Sequence, residues 1–372
     1  MRFEVSRVLD AIERRLSTDP MLARGVVDLA EAIRYVDLDG GRPATMLRLG
    51  MVIDALGRQL AEENVPVYVV ADRALLSEPD LSSNERMVLR RWADDGLVEV
   101  LPKAGERVLE VAEMIGLPVL SRSRFEAQHK RYPWLADEPA RLLAPLPGTG
   151  GASLLARIAP VAGRRPPGPS KTGAALLARL WRCPDPDCGN FGPARVGRPG
   201  GQPPPRLRSG VPVCPRHDAR LADAGPRPPA EVLAVRVGGV IRQRFLVAAD
   251  RPVVVGRAPA EERAVMVGQW LTDEARRWIS RSHVRLELRG QDLVARDIST
   301  NGTVVRQGGS MTDADRVLLT RDQTRVLAET DVLELYPGVH IGRANRWSSG
   351  GVLDPGSVMS DAPTMTLRVV NR

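Results

Sequence analysis

The apolar positions at the start of the chain, Val5, Val8, Leu9, Ile12 and Leu16, fall three and four residues apart, the spacing of one buried helical face. Thr18-Asp19-Pro20 punctuates that helix, and a second is expected over Met21 to Ile33. Strand and helix patterns then alternate. Ile33–Leu38 is a strand candidate, followed by a helical stretch over Thr45–Glu63. Val65–Ala71 (VPVYVVA) is a near-continuous apolar run suited to a central parallel strand. Asn84–Asp95 reads as helix, Val98–Leu101 as strand, Arg107–Met114 as helix and Leu117–Ser121 as strand. This alternation predicts an α/β three-layer domain with a mostly parallel sheet over residues 1–135.

The pattern decays after Trp134. Residues 136–173 contain PLPGTGG and GRRPPGPSKTG and read as a Pro/Gly-rich linker. The GPSKTG stretch lacks the glycine spacing and preceding strand of a phosphate-binding loop. A short cysteine-bearing unit follows over 174–224, with a second linker at 225–230. From Glu231 the period shortens. Val232–Val237, Phe245–Ala248, Val253–Val255, Val284–Leu288, Leu293–Asp297 and Val332–Leu335 are separated by Gly, Asp and Asn turns, which predicts an all-β sandwich over 231–345. Residues 346–372 are expected to form a loose tail.

Composition changes this picture little. The 372 residues include 34 glycines and 31 prolines, consistent with modest globular units joined by connectors. No apolar run reaches the length of a spanning helix, and the charged amphipathic start is unlike a signal peptide, so a cytoplasmic chain with no membrane partner is expected. The net charge of +8 suggests nucleic acid at first sight. Of the 53 basic residues, however, only Lys103, Lys130 and Lys171 are lysine, which resembles the coding bias of a GC-rich genome, and a bacterial source is expected. A scattered arginine excess is more often a solvated surface than a binding face.

Three ordered motifs carry the chemistry of the C-terminal region: Gly256-Arg257, Ser280-Arg281-Ser282-His283, and Asp297-Ile298-Ser299-Thr300-Asn301-Gly302-Thr303. A phosphorylated threonine brings about −1.5 to −2 charges and three acceptor oxygens. Arg257 offers a guanidinium and Ser280 a hydroxyl, while Asn301 can donate and accept to hold a peptide backbone in register. Together the motifs resemble the signature of a forkhead-associated (FHA) domain. The resemblance implies phosphothreonine binding by Arg257, Ser280 and Asn301, with Arg281 and Thr300 as further contacts and His283 as scaffold. The stretch from Arg257 to Ser280 is longer than that pattern, with EERAVMVGQWLTDEARRW inserted. The implied partner is a phosphothreonine-containing protein in a Ser/Thr protein kinase pathway. Thr364 and Thr366 in the tail, if phosphorylated, would suit the same pocket, in cis or between chains.

Cys183 and Cys188, then Cys214 and His217, form two close pairs separated by a Pro/Gly-rich loop and use every cysteine of the chain. Zn²⁺ favours tetrahedral Cys/His sets, and four protein ligands close the coordination sphere, so a structural zinc ribbon is expected.

Leu117-Pro-Val-Leu-Ser-Arg-Ser-Arg-Phe125, followed by Tyr132-Pro133-Trp134, resembles the end of a PIN-like ribonuclease domain of the Regnase type, and Asp39-Gly40 is similar to that family's Asp-Gly turn. Such nucleases gather carboxylates around a divalent metal. Asp37 and Asp39 would share one face of the Ile33–Leu38 strand, joined by Glu106, with Asp72 a further candidate. Departures are evident: Ser123 and Gly105 stand where aspartates are expected, and Arg42 stands at the asparagine. The leading expectation is therefore a signalling adaptor with an inactive nuclease-like domain. One alternative is a metal-dependent endoribonuclease using Mg²⁺ or Mn²⁺ and targeted by the FHA-like domain; another is a zinc-ribbon regulator that binds nucleic acid, with RNA as a candidate partner.

Overall fold

The computed structural model describes residues 2–148, 151–156, 169–192, 202–249, 251–261, 263–309 and 316–347. Thr364, Thr366 and nearly all of the expected tail lie outside them.

The N-terminal sheet consists of β1 (Val26–Asp28), β2 (Tyr68–Asp72), β3 (Glu99–Leu101), β4 (Val119–Leu120), β5 (Leu142–Gly148) and β6 (Gly151–Ala156), in the order β3-β2-β1-β4-β5-β6. All neighbours are parallel except the β5–β6 hairpin. The helices are α1 (Arg2–Glu13), α2 (Leu29–Ala32), α3 (Leu47–Leu60), α4 (Ser83–Asp94), α5 (Arg107–Ile115) and α6 (Trp134–Asp137). Both sheet faces are covered, which is why β2 reads as a continuous apolar run. Val27, Val69 and Ala71 pack with Leu9, Ile53, Leu56 and Leu89 of α1, α3 and α4. Val26, Tyr68, Val70 and Val119 pack on the opposite side with Val108, Leu109 and Ala112 of α5. The expected α/β domain with a mostly parallel sheet is met in part.

Two expectations fail. The first strand is Val26–Asp28, inside the stretch read as a second helix, and the Ile33–Leu38 stretch instead ends in a 3-10 turn over Val36–Leu38. A three-residue strand buried on both faces leaves no period to read. The stretch 136–173 is not a plain linker, because β5 and β6 extend the sheet. Pro145 and Pro147 are tolerated in β5 because β4 ends at Leu120, so their missing N–H groups fall where no strand would accept them.

The cysteine unit begins with α7 (Lys171–Leu177), which lies so close to α5 that a Cβ on Gly173 would collide with the Met114 carbonyl. Strands β7 (Arg179–Arg182), β8 (Arg206–Arg208), β9 (Val211–Val213) and β10 (Ala222–Pro226) form two antiparallel pairs, β7 with β10 and β8 with β9. The fully buried Arg107 of α5 donates to Glu99 at 3.0 Å and to the Pro204 carbonyl at 2.5 Å, fastening this unit to the N-terminal domain.

The C-terminal region is the predicted sandwich. Its strands are β11 (Ala230–Val237), β12 (Val240–Ala248), β13 (Val253–Gly256), β14 (Ala264–Met266), β15 (Val284–Arg289), β16 (Asp292–Asp297), β17 (Thr303–Arg306), β18 (Arg316–Leu319), β19 (Thr324–Val326), β20 (Val332–Tyr336) and β21 (Val339–Arg343), with helix α8 (Asp273–Trp278) inserted before β15. A six-stranded sheet, β12-β11-β21-β20-β17-β18, faces a five-stranded sheet, β14-β13-β15-β16-β19. Pairing is antiparallel except between β13 and β14. Alternate residues from both sheets, including Val235, Val247, Val255, Leu286, Ala295, Val305, Leu333 and Ile341, fill the core between them.

The sandwich is not simply tethered. Segment 61–64 after α3 pairs with β12: Ile241 N donates to the Ala61 carbonyl at 3.0 Å and Glu63 N to the Ile241 carbonyl at 2.8 Å. Glu62, with a side chain 2% exposed, accepts from Arg244 Nη2 at 2.6 Å and Nε at 2.9 Å, and from Arg24 at 3.2 Å. Glu62→Ala would remove the buried carboxylate that Arg24 and Arg244 share. Breaking a buried pair in this way costs about 3–5 kcal/mol. A lowered urea midpoint is expected for the full chain, and an unchanged midpoint would show the contact to be energetically idle.

Candidate functional sites

Three loops at one end of the sandwich assemble the predicted pocket. Gly256 ends β13 where a Cβ would collide with the Arg281 carbonyl, so the Arg257 backbone lies directly against the serine loop. Arg257 N donates to the Ser280 carbonyl at 3.0 Å, and Ala258 N donates to that of Arg281 at 3.2 Å. The side chains of Arg257 and Arg281 are exposed. Neither has an ion-pair partner among the described residues.

The loop after β16 is shaped by Asp297, which is fully buried. Its carboxylate accepts from Ser299 N at 3.0 Å, from Ser299 Oγ at 3.0 Å and from Thr303 Oγ1 at 2.5 Å. Gly302, at φ +83°, has no room for a Cβ, which would lie 2.8 Å from the Leu319 carbonyl. Buried His283 ties the two loops together. Its Nδ1 accepts from Ser280 N at 3.1 Å, which places the proton on Nε2, where it donates to the Gly302 carbonyl at 3.2 Å. Burial holds this imidazole below its ordinary pKa, against the weaker opposing pull of Asp297. The neutral ring is thus scaffold.

Ser280 Oγ accepts from Thr300 N at 3.1 Å, leaving its own proton to donate outward. Asn301 is exposed, and its Nδ2 donates to the Trp278 carbonyl at 2.8 Å, leaving the amide oxygen to accept. Arg257, Ser280, Arg281, Thr300 and Asn301 therefore lie on loops bonded directly to one another. Two exposed guanidiniums, an oriented hydroxyl and an amide can hold a tetrahedral oxyanion and its attached backbone.

The second site lies in the cysteine unit. Cys183, Cys188, Cys214 and His217 present ligand atoms that all fall within 4.8 Å of one another, and no other such group of three or more occurs among the described residues. Cys183 Sγ is 3.5 Å from His217 Nδ1, Cys214 Sγ is 3.7 Å from it, and Cys188 Sγ is 3.7 Å from Cys214 Sγ. Zinc bonded tetrahedrally at about 2.3 Å to sulfur requires edges of about 3.7–3.8 Å, and slightly shorter ones to nitrogen. The residues fit. The hydrogen bond with Cys214 holds the Cys188 thiol down at about 5, and Phe191 N donates to its sulfur at 3.3 Å. Asp185, which the sequence reading did not single out, lies 3.4 Å from His217 Nε2 and would fix the ring with Nδ1 inward. Its position within CPDPDC was the available signal.

The N-terminal acids do not converge as expected. Asp37 is exposed, paired with Arg122 at 2.8 Å, and held low by that bond. Asp39 pairs with buried Arg48 at 2.8 Å and accepts from Gly41 N at 2.9 Å. Glu106 pairs with Arg131 at 2.5 Å. These three are not brought into one cluster, because the strand meant to align two of them is absent. The acids at the carboxyl ends of the strands are Asp28 and Asp72, with Glu31 beside them. Asp28 caps α2, accepting from Ala30 N at 2.8 Å, and its pKa is raised, chiefly by burial. Asp72 accepts from Ala104 N. Glu31 accepts from Ser121 Oγ at 2.7 Å, Arg122 N at 2.9 Å and Ser123 N at 3.2 Å, so its carboxylate is spent on the chain itself.

No protein-family model matches this chain, and no curated protein matches it. Among solved structures, the MEK1 FHA domain is 27% identical, covering 31% of this chain and 88% of its own, with a TM-score of 0.23. The FHA domain of human APLF, solved in complex with an XRCC1 bisphosphopeptide, is 21% identical, covering 30% and 97%, at 0.23. The FHA domain of CT664 from Chlamydia trachomatis is 18% identical, covering 30% and 94%, at 0.22. Likenesses of that score do not decide function; the motifs and loop contacts above must. The nuclease-like reading of the N-terminal domain gains no support from these comparisons. Among the described residues, no helix is long and apolar enough to cross a membrane.

Proposed function

We propose that residues 231–345 form an FHA domain that binds phosphothreonine-containing segments of partner proteins, and that the chain is an adaptor. It would join its N-terminal α/β domain and cysteine unit to partners phosphorylated by a Ser/Thr kinase. Arg257 and Arg281 take the phosphate charge, Ser280 donates to a phosphate oxygen, and Thr300 and Asn301 hold the peptide backbone. The observation that carries this reading is the pair of exposed guanidiniums with no ion-pair partner among the described residues, beside a serine hydroxyl whose lone pair is already engaged. Cys183, Cys188, Cys214 and His217 hold a structural Zn²⁺, which supplies the cross-link that so small a unit needs. Glu31, Asp37, Asp39 and Glu106 are each engaged by arginine, hydroxyl or backbone donors of the chain, which favours a non-catalytic role for the N-terminal domain.

The test is calorimetric titration of the full chain with a degenerate phosphothreonine peptide library and its unphosphorylated counterpart. Binding is expected only for the former. Equal heats from both would remove the proposed function.

A further inference from the structure

A cleft of about 110 Å³ lies between the N-terminal domain and the cysteine unit, and none of its lining residues belongs to the sites described above. One wall comes from the edge of the parallel sheet. Leu76 lies in the turn after β2, Ala93 in the last turn of α4, and Val98 and Val100 just before and within β3, the edge strand. Leu97 N donates to the Trp92 carbonyl at 2.9 Å, which turns the chain directly from helix to strand. These four side chains are aliphatic, and no aromatic ring lines the cleft among the described residues.

The opposite wall is polar and comes from both cysteine pairs. Asn190 follows Cys188 in CGNF, and Arg216 stands within CPRH. Each turn is held tightly by its own backbone: Gly192 N donates to the Cys188 carbonyl at 3.0 Å, and Asp218 N to the Cys214 carbonyl at 2.8 Å. Asn190 Nδ2 is buried and has no hydrogen-bond partner among the described residues. A buried donor left without an acceptor costs about 1–3 kcal/mol. Arg73, immediately after β2, lines the cleft with Arg216; both are exposed, and neither has an ion-pair partner among the described residues. Asp94 also lines the cleft but is itself engaged by the chain. Two cations therefore stand against one anion.

We infer that this cleft binds an aliphatic carboxylate. The carboxylate accepts from Asn190 Nδ2 and is flanked by the guanidiniums of Arg73 and Arg216, while the aliphatic body lies on the Leu76–Val100 wall. Three features select this class. An amide donor without a partner requires an acceptor, and two guanidiniums favour a charged one. A wall without rings offers no platform on which a nucleobase could stack. Pockets for drug-sized ligands run to about 300–1,000 Å³, so this smaller cleft suits a short branched acid or the carboxyl end of a peptide. The inference does not depend on the phosphothreonine reading. It gives the cysteine unit a binding role: the unit completes a cleft that the N-terminal domain only half builds.

The experiment is calorimetry, with ligand-observed saturation-transfer NMR, on the full chain, Arg73→Ala and Arg216→Ala. The probes are 4-methylpentanoate, its uncharged amide, acetate, and a short peptide ending in leucine with a free or an amidated carboxyl group. The unaltered chain should bind 4-methylpentanoate with a dissociation constant of about 1 mM or tighter, as so small a ligand allows. The amide and acetate should each bind about tenfold more weakly or worse, the first for want of charge and the second for want of an apolar body. Each arginine variant should lose about tenfold or more. Arg73 is exposed and remote in sequence from the cysteine unit, so its effect is not a disturbance of that unit. Binding of the leucine-ended peptide that is lost on amidation would support the inference with a peptide end as the source; binding of the free acid alone would support it with a small molecule as the source. No binding of either carboxylate, equal affinity for the amide or for acetate, or affinity that survives in either arginine variant would overturn it.

Discussion

Arg257→Ala is expected to abolish measurable binding of phosphothreonine peptides while leaving the fold intact. Charged hydrogen bonds contribute about 1.5–3 kcal/mol each, and a guanidinium can make two to one phosphate. Loss of both would weaken binding by about two to four orders of magnitude. The stability side follows from the structure. The Arg257 side chain is exposed and has no ion pair among the described residues, while its backbone bond to Ser280 survives the substitution. The unfolding midpoint should therefore match that of the unaltered chain. Arg257→Lys should restore only part of the affinity, because an ammonium is a point charge that cannot span two oxygens. Calorimetry checks both variants, and an Arg257→Ala affinity within threefold of the original would remove this arginine from the site.

Chelation should have the largest structural effect. The apolar cluster of the cysteine unit consists of little more than Cys183, Cys188, Phe191, Cys214 and Leu221 among the described residues, so three of its five buried members are themselves proposed ligands. Structural zinc contributes about 10–16 kcal/mol of apparent binding energy in units this small, which is folding energy that the core here cannot replace. One zinc per chain is expected by elemental analysis. Its removal, or Cys188→Ser, should open residues 170–226 to proteolysis. Arg107 would lose the Pro204 carbonyl it now donates to, so the damage should reach α5 of the N-terminal domain. The sandwich has its own core and should still bind phosphopeptide. Asp185→Ala is the milder companion, expected to weaken zinc affinity about 10–100-fold. A chain that carries no zinc, or a protease pattern indifferent to chelator, would defeat the assignment.

These two effects differ in kind. In the proposed reading the arginine acts at the surface, so its loss should spare the fold, whereas the metal acts as core, so its loss should remove one. Both proposed sites are built from short sequence segments: spacing pointed to the Cys/His set, and a resemblance carried by three short motifs pointed to the pocket. Four residues lie between Cys183 and Cys188 and two between Cys214 and His217, and the pocket motifs each occupy a single loop. Local spacing survives folding because a tight loop leaves its side chains few other places to go.

Alternation along the chain made six of the eleven described sandwich strands legible, and close spacing picked out the Cys/His set that the structure gathers; the loop residues proposed for the pocket came from a resemblance carried by three short motifs. The acids of the N-terminal domain were decided only by the tertiary structure. Whether Asp37, Asp39 and Glu106 meet depends on how distant segments stack, and a three-residue strand at Val26–Asp28 carries no period to reveal it. Pro-rich β5 joined the sheet because its neighbour β4 stops short, and Glu62 found Arg244 across 182 residues because both were driven into one buried seam. Periodicity records which face of an element is buried; only packing decides which faces are buried against each other.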